Sequence, residues 1–135
     1  MRVATSKTAL VLVFAATLCG GCSRVPWRLG LDGPMRVAAD EGRLALVYYW
    51  QPFNGDCQQM DRTVFRSDEV LAQMKGMMPI KLDASFHRKR AEQLGLLKVP
   101  SFLVLSPHGE PVRRRAGPMD VDQFLAFLVM AKLSQ

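Results

Sequence analysis

The run LALVYYW, Leu44–Trp50, holds seven apolar or aromatic residues with no polar break. A strand with one wet face alternates apolar and polar residues. A run that does not alternate must be covered on both faces, and seven residues is strand length rather than helix length. The chain therefore needs a central sheet with a layer above it and a layer below it. The rest of the sequence supplies those layers. RVAADEG (36–42) reads as a short helix stopped by Gly42. CQQMDRTVF (57–65) reads as helical, with Met60 and Val64 on one face and Asp56 as its N-cap. DEVLAQMKG (68–76) is a further helix, capped by Ser67. MPIKLDA (78–84) is a second strand, HRKRAEQLGL (87–96) a short helix and SFLVLS (101–106) a third strand. PVRRRAG (111–117) is an edge-like fourth strand. PMDVDQFLAFLVMAKL (118–133) is an amphipathic helix with Val121, Phe124, Leu125, Leu128 and Val129 on its apolar face. Asp120 and Gln123 form a capping box at its start. This order predicts an α/β fold, a central mixed β-sheet flanked by helices on both faces. The second strand runs parallel to the first through a helical crossover, and the last two strands form an antiparallel hairpin.

The N-terminus has a different character. Arg2 and Lys7 precede ALVLVFAATL (9–18), an apolar run of ten residues that is too short to span a bilayer. Gly20 and Gly21 directly before Cys22 resemble a bacterial lipoprotein signal, with Cys22 as the lipid-accepting residue. Cys19 stands where such signals usually carry Leu. Plain secretion and an uncleaved anchor are the other readings of this segment. Ser23 after the acceptor resembles signals sorted to the outer membrane of a two-membrane envelope. SRVPWRLGLDGPM (23–35) holds two Pro and two Gly without sustained periodicity and reads as a tether. The expected organisation is a signal at 1–21, a lipid-anchored tether at 22–35 and a folded domain at 36–135.

Apolar residues make up 49% of the chain and charged residues 22%, which suits one globular domain plus a short appendage. The formal charge of +6 falls to +4 once Arg2 and Lys7 leave with the signal. HRKR (87–90) and RRR (113–115) are short basic runs without the aromatic interleaving of a nucleic-acid surface, so no nucleic-acid partner is expected. His87, His108 and Cys57 sit at no local metal-ligand spacing, so neither metal nor other cofactor is expected. No nucleophile motif of a hydrolase appears. The three cysteines are Cys19, Cys22 and Cys57. Cleavage before Cys22 removes the first and lipidation blocks the second. Cys57 is then the one free thiol, and one thiol makes no internal disulfide.

Cys57 lies in WQPFNGDCQQM (50–60), between the apolar strand and the following helix. Further on, TVFRSDEV (63–70) and KVPSFLVLSPHGE (98–110) occur in an order that resembles the thioredoxin family, over about residues 36–133. The nearest resemblance is to the thioredoxin-like domains of bacterial envelope thiol–disulfide proteins of the Dsb system. The resemblance implies a thioredoxin-like fold and places Val99–Pro100 at the family's cis-proline loop beside the active site. It puts Cys57 on the family's second active-site cysteine and Asn54 on the first, the nucleophile. Phe53 replaces the Trp before that nucleophile. Tyr48 stands where many members bury an acid, and Lys81 falls near a lysine that pairs with that acid.

These departures bear on activity. Dithiol exchange needs one thiolate to attack and a second to resolve the mixed disulfide. Asn54 does neither. Dithiol oxidoreductase activity is therefore not expected. The family's main-chain pairing with an extended peptide needs no sulfur. The resemblance thus implies a groove formed by Trp50, Phe53, Asn54, Val99 and Pro100, and a partner that is an extended peptide or an envelope protein. The alternative is a thiol–disulfide protein working through Cys57 and a partner's cysteine. The helix dipole favours a thiolate at Cys57, while Asp56 and burial oppose it.

Overall fold

The computed structural model describes residues 24–135. The signal segment and Cys22 lie outside the described residues. The central strand is β2, Ala45–Trp50, and its residues 45–49 are all buried. Alternate side chains go to opposite layers, as a pleated strand requires. Leu46 and Tyr48 face one core, while Ala45, Val47 and Tyr49 face the other. On its flanks are β3, Met78–Asp83, which is parallel, and β4, Ser101–Leu105, which is antiparallel. Beyond β4 lies β5, Pro111–Ala116, antiparallel, and beyond β3 lies β1, Arg28–Leu29, parallel. The sheet order is β1-β3-β2-β4-β5. Its edges are a two-residue strand and a strand carrying Arg113, Arg114 and Arg115. Short and charged edges resist pairing with a second chain.

The first layer holds α2 (Gly55–Arg62), a 3-10 turn (Val64–Arg66), α3 (Asp68–Met74) and α5 (Val121–Leu133). The second holds α1 (Asp32–Glu41) and α4 (Ala84–Gln93). The expected layers and strand directions are therefore present. The first layer is built on aromatic rings. Tyr48 stacks on Phe102 at 5.0 Å, and Phe124 meets Phe65 edge-on at 5.3 Å and Phe102 at 5.4 Å. Such offset and edge-to-face pairs add to simple area burial. Ser67 and the Asp120–Gln123 capping box start α3 and α5 as expected.

Four expectations need correction. Residues 24–35 are not a free tether. Val25 is buried, Trp27 packs edge-on against Phe65 at 5.0 Å, β1 joins the sheet, and α1 begins at Asp32. The Gly33–Pro34 pair suggested a loop. Yet it lies in the first turn of α1, where a proline's missing N–H has no helical partner to lose. The buried face of α5 is Phe124, Phe127, Leu128 and Ala131, and Val129 is exposed, so the apolar stripe is rotated toward α3. The helix after Cys57 breaks at Thr63 into the 3-10 turn, with Thr63 Oγ1 donating to the Gln59 carbonyl at 2.8 Å. The helix expected at 87–96 starts instead at Ala84, where Asp83 caps it by accepting from Ser85 N at 2.8 Å.

Trp27 separates the tether from the folded segment. Trp27→Ala is expected to lower unfolding stability by roughly 2–3 kcal/mol, less than for a fully buried aromatic. A urea titration measures this. A change within error would return residues 24–31 to the tether.

Candidate functional site

The parallel strands β2 and β3 end together, with Trp50 opposite Asp83 in register. Antiparallel β4 starts at the same end, with Ser101 opposite Tyr49. The loop carrying Phe53 and Asn54, the start of α4 and the Val99–Pro100 segment are thereby gathered at one end of the sheet. The Val99–Pro100 peptide bond is cis. The Pro100 carbonyl accepts from Gly117 N at 2.8 Å, which ties this segment to the end of β5.

Asn54, not Asp56, caps α2. Its backbone is extended and its side-chain Oδ1 accepts from Cys57 N at 3.0 Å. Asparagine is among the best N-cap residues. The position that the resemblance assigns to a nucleophilic sulfur is thus occupied by a helix-starting amide. Asp56 is two residues too late for that geometry and is exposed.

Cys57 is 0% exposed and lies in the first-layer core with Met60 and Tyr48. It is the free cysteine of the described residues. Burial pushes its thiol above the ordinary range, against the opposing effects of a Gln51 backbone hydrogen bond and the Tyr48 hydroxyl. The acid that acts on it is Asp61, one helical turn on, rather than the adjacent Asp56. The Tyr48 hydroxyl donates to the Cys57 carbonyl at 3.2 Å, and burial raises its pKa far beyond the usual tyrosine value.

Lys81 shows how the chain manages a missing acid at Tyr48. Its side chain is 13% exposed, and Nζ lies 3.3 and 3.4 Å from the two Asp61 carboxylate oxygens. Nζ also stands 3.9 Å from the Trp50 ring centroid, with the Tyr48 and Trp27 rings at 5.3 and 5.9 Å. A cation this desolvated needs both a counter-charge and polarisable faces. Helical spacing was the available signal for Asp61, since it lies four residues after Cys57 and on the same face.

The expected groove residues divide. Phe53 is 91% exposed, Asn54 and Val99 are half-buried, and Pro100 is buried. Trp50 is turned against the core beneath Lys81, with its indole Nε1 buried and without a protein partner. It is less a groove wall than the ring face on which Lys81 rests. Two residues that sequence reasoning passed over join this end of the sheet. Phe86, in the first turn of α4, is 82% exposed, and Leu97, three residues before Pro100, is 79% exposed. An apolar residue kept in solvent has no hydrophobic periodicity to announce it. Only the strand order brings these three together.

A layered α/β domain with a cis-proline ahead of β4 and a helix starting at a single cysteine after the central strand defines a thioredoxin-type scaffold. A thioredoxin-like domain family model matches residues 31–132, and the chain belongs to that family. It is 29% identical over 102 residues to the thiol:disulfide interchange protein DsbD 2 of Pseudomonas aeruginosa, which covers 71% of this chain. The chain spans only 17% of that relative's length. Among solved structures, a thioredoxin from Thermus thermophilus superposes with a TM-score of 0.69 at 22% identity, covering 81% of this chain and 89% of that one. The DsbD C-terminal domain of Neisseria meningitidis, in its oxidised form, superposes with a TM-score of 0.64 at 17% identity, covering 73% and 90%. These structural likenesses establish the fold.

Two outcomes follow. Asn54→Ala is expected to cost about 1 kcal/mol of stability, with Asn54→Asp close to neutral, because aspartate also caps. Thermal unfolding of the two variants checks this. The second concerns pH. An unfolded chain releases the Cys57 proton near pH 8.5, before the folded protein does, so stability falls as pH rises above about 8.5. Tyr48 acts in the same direction near pH 10. Denaturant midpoints measured from pH 7 to pH 10 should decline, and Cys57→Ala should flatten the first part of that decline.

Proposed function

We propose that this chain is an envelope lipoprotein, anchored through Cys22, whose thioredoxin-like domain binds an extended peptide or protein partner without dithiol chemistry. The observation that carries this reading is the pair Asn54 and Cys57. The first is used as a helix cap and the second has no exposed surface. A thiol that is buried and held protonated neither attacks a disulfide nor is reached by one. The peptide-pairing edge needs only main-chain groups at Val99 and apolar contacts nearby. Phe53, Phe86 and Leu97 supply exposed apolar surface at that end of the sheet. The Dsb-type relative favours an envelope setting, outside the cytoplasm. The order of residues at the N-terminus favours a lipid anchor, with Ser23 pointing to the outer membrane where two membranes exist.

The alternative, a redox protein pairing Cys57 with a partner's cysteine, requires Cys57 to leave the core. Burial and the raised thiol pKa both weigh against it.

The purified protein is expected to leave insulin unreduced when dithiothreitol supplies electrons, and Asn54→Cys is expected to gain turnover. Robust reduction by the wild type would overturn the non-redox reading. For binding, reduced insulin B chain serves as an extended apolar probe. Its addition should shift the Val99 amide signal equally in wild type and in Cys57→Ser. Dependence of that shift on Cys57 would favour the redox alternative instead.

A further inference from the structure

The proposed anchor and the folded domain are separated by almost nothing. Residue 25 is already in the core and Trp27 is packed, so a lipid on Cys22 is two residues from Arg24, where the described chain begins. Two residues of extended chain reach about 7 Å. A lipid on Cys22 would therefore hold the end of the sheet bearing Arg24 at the membrane surface rather than leave it to swing on a tether.

That end is defined by the parallel pairing of β1 with β3, Arg28 opposite Ile80. The segment before β1 consequently runs alongside the start of β3. The site end lies at the finish of β2 and β3, Trp50 and Asp83. Six-residue strands separate the two ends by about 17 Å. A groove of about 530 Å³ opens at the anchor end. Its apolar floor includes Val25, Leu71 and Met77, and its charged lining is Arg24, Arg43 and Lys75 against the single acid Asp68. A second cleft, of about 230 Å³, shares Arg24, adds Arg66 and runs up to the Lys81–Asp61 pair. Arg24, Arg66 and Lys75 are exposed and form no ion pair among the described residues.

We propose that this basic end is a docking face for an anionic phospholipid surface, which holds the domain with Phe53, Val99 and Pro100 turned away from the membrane. The proposal rests on the lipid-anchor reading given above. Acyl chains supply the affinity, and the cations near the headgroups supply the orientation. A negative surface attracts these three cations only within a screening length, and a two-residue link keeps them there. A long tether would not.

Full-length protein carrying Ala72→Cys or Phe53→Cys is expressed with its own signal and labelled with a fluorophore. Ala72 is exposed and lines the groove, Phe53 is exposed at the far end, and the buried Cys57 stays unlabelled. The protein is reconstituted in vesicles of phosphatidylethanolamine and phosphatidylglycerol containing a headgroup-quencher lipid. Quenching at residue 72 should exceed that at residue 53 several-fold. The difference should shrink in phosphatidylcholine alone and in Arg24→Glu/Arg66→Glu/Lys75→Glu. Equal quenching at both positions in lipid-modified protein, or a difference indifferent to charge, overturns the docking face and leaves the anchor standing. Mass spectrometry of Cys22 separates the two ideas, because an unmodified Cys22 overturns the anchor reading and removes the docking face with it.

Discussion

Burial of β2 on both faces is the constraint on which the rest of this structure depends. A strand whose five central side chains are all excluded from water must be sandwiched, and each pleat commits its residues to a different layer. Tyr48 shows how much follows from one position. Its ring stacks on Phe102 and its hydroxyl satisfies the Cys57 carbonyl in the first turn of α2. The strand that organises the core thus also sets the position of the loop and helix that carry the site. A buried hydroxyl without such a partner would cost roughly 1–3 kcal/mol.

The site keeps the family's scaffold with a different set of side chains at its turn. Asn54 starts the helix by capping it, with its side-chain oxygen accepting from Cys57 N. Asp61 provides the charge for Lys81 from one turn along α2, now that Tyr48 fills the position where the family often buries an acid. Trp50 and Trp27 complete the enclosure of that lysine with their ring faces. Asn54 and Asp61 thus each give a polar group a partner, while the Trp50 indole Nε1 is left buried without one. The result is a buried thiol in an aromatic core, its pKa pushed up by burial. Solvent-exposed Phe53, Phe86 and Leu97 lie at the site end of the sheet.

The two ends of the sheet have separate characters, and strand direction is the reason. Because β1, β2 and β3 are parallel, the chain's entry and the site lie at opposite ends. Arg24, Arg43 and Lys75 line the groove at the entry end, and Phe53, Phe86 and Leu97 are exposed at the other. A hairpin in place of the parallel β1–β3 pairing would have put both at the same end.

Local pattern determined a good deal here. The unbroken run at Leu44–Trp50 required a sandwiched strand, Ser67 and Asp120–Gln123 marked helix starts, and Asn54 three residues before Cys57 ruled out a local Cys-x-x-Cys pair. Each of these depends on chemistry within a few residues, which a sequence displays directly. Tertiary structure alone decided the rest. It drew Val25 and Trp27 into the core, because a two-residue strand has no periodicity and gains its stability from Ile80 and Phe65, more than thirty residues away. It rotated the buried stripe of α5 toward Phe127 and Ala131, because the neighbouring α3 and β4 determine which side is dry. It also paired Asp61 with Lys81 across twenty residues. Long-range packing selects among faces and partners that local pattern leaves equivalent, and in this protein that selection determined how the site is built.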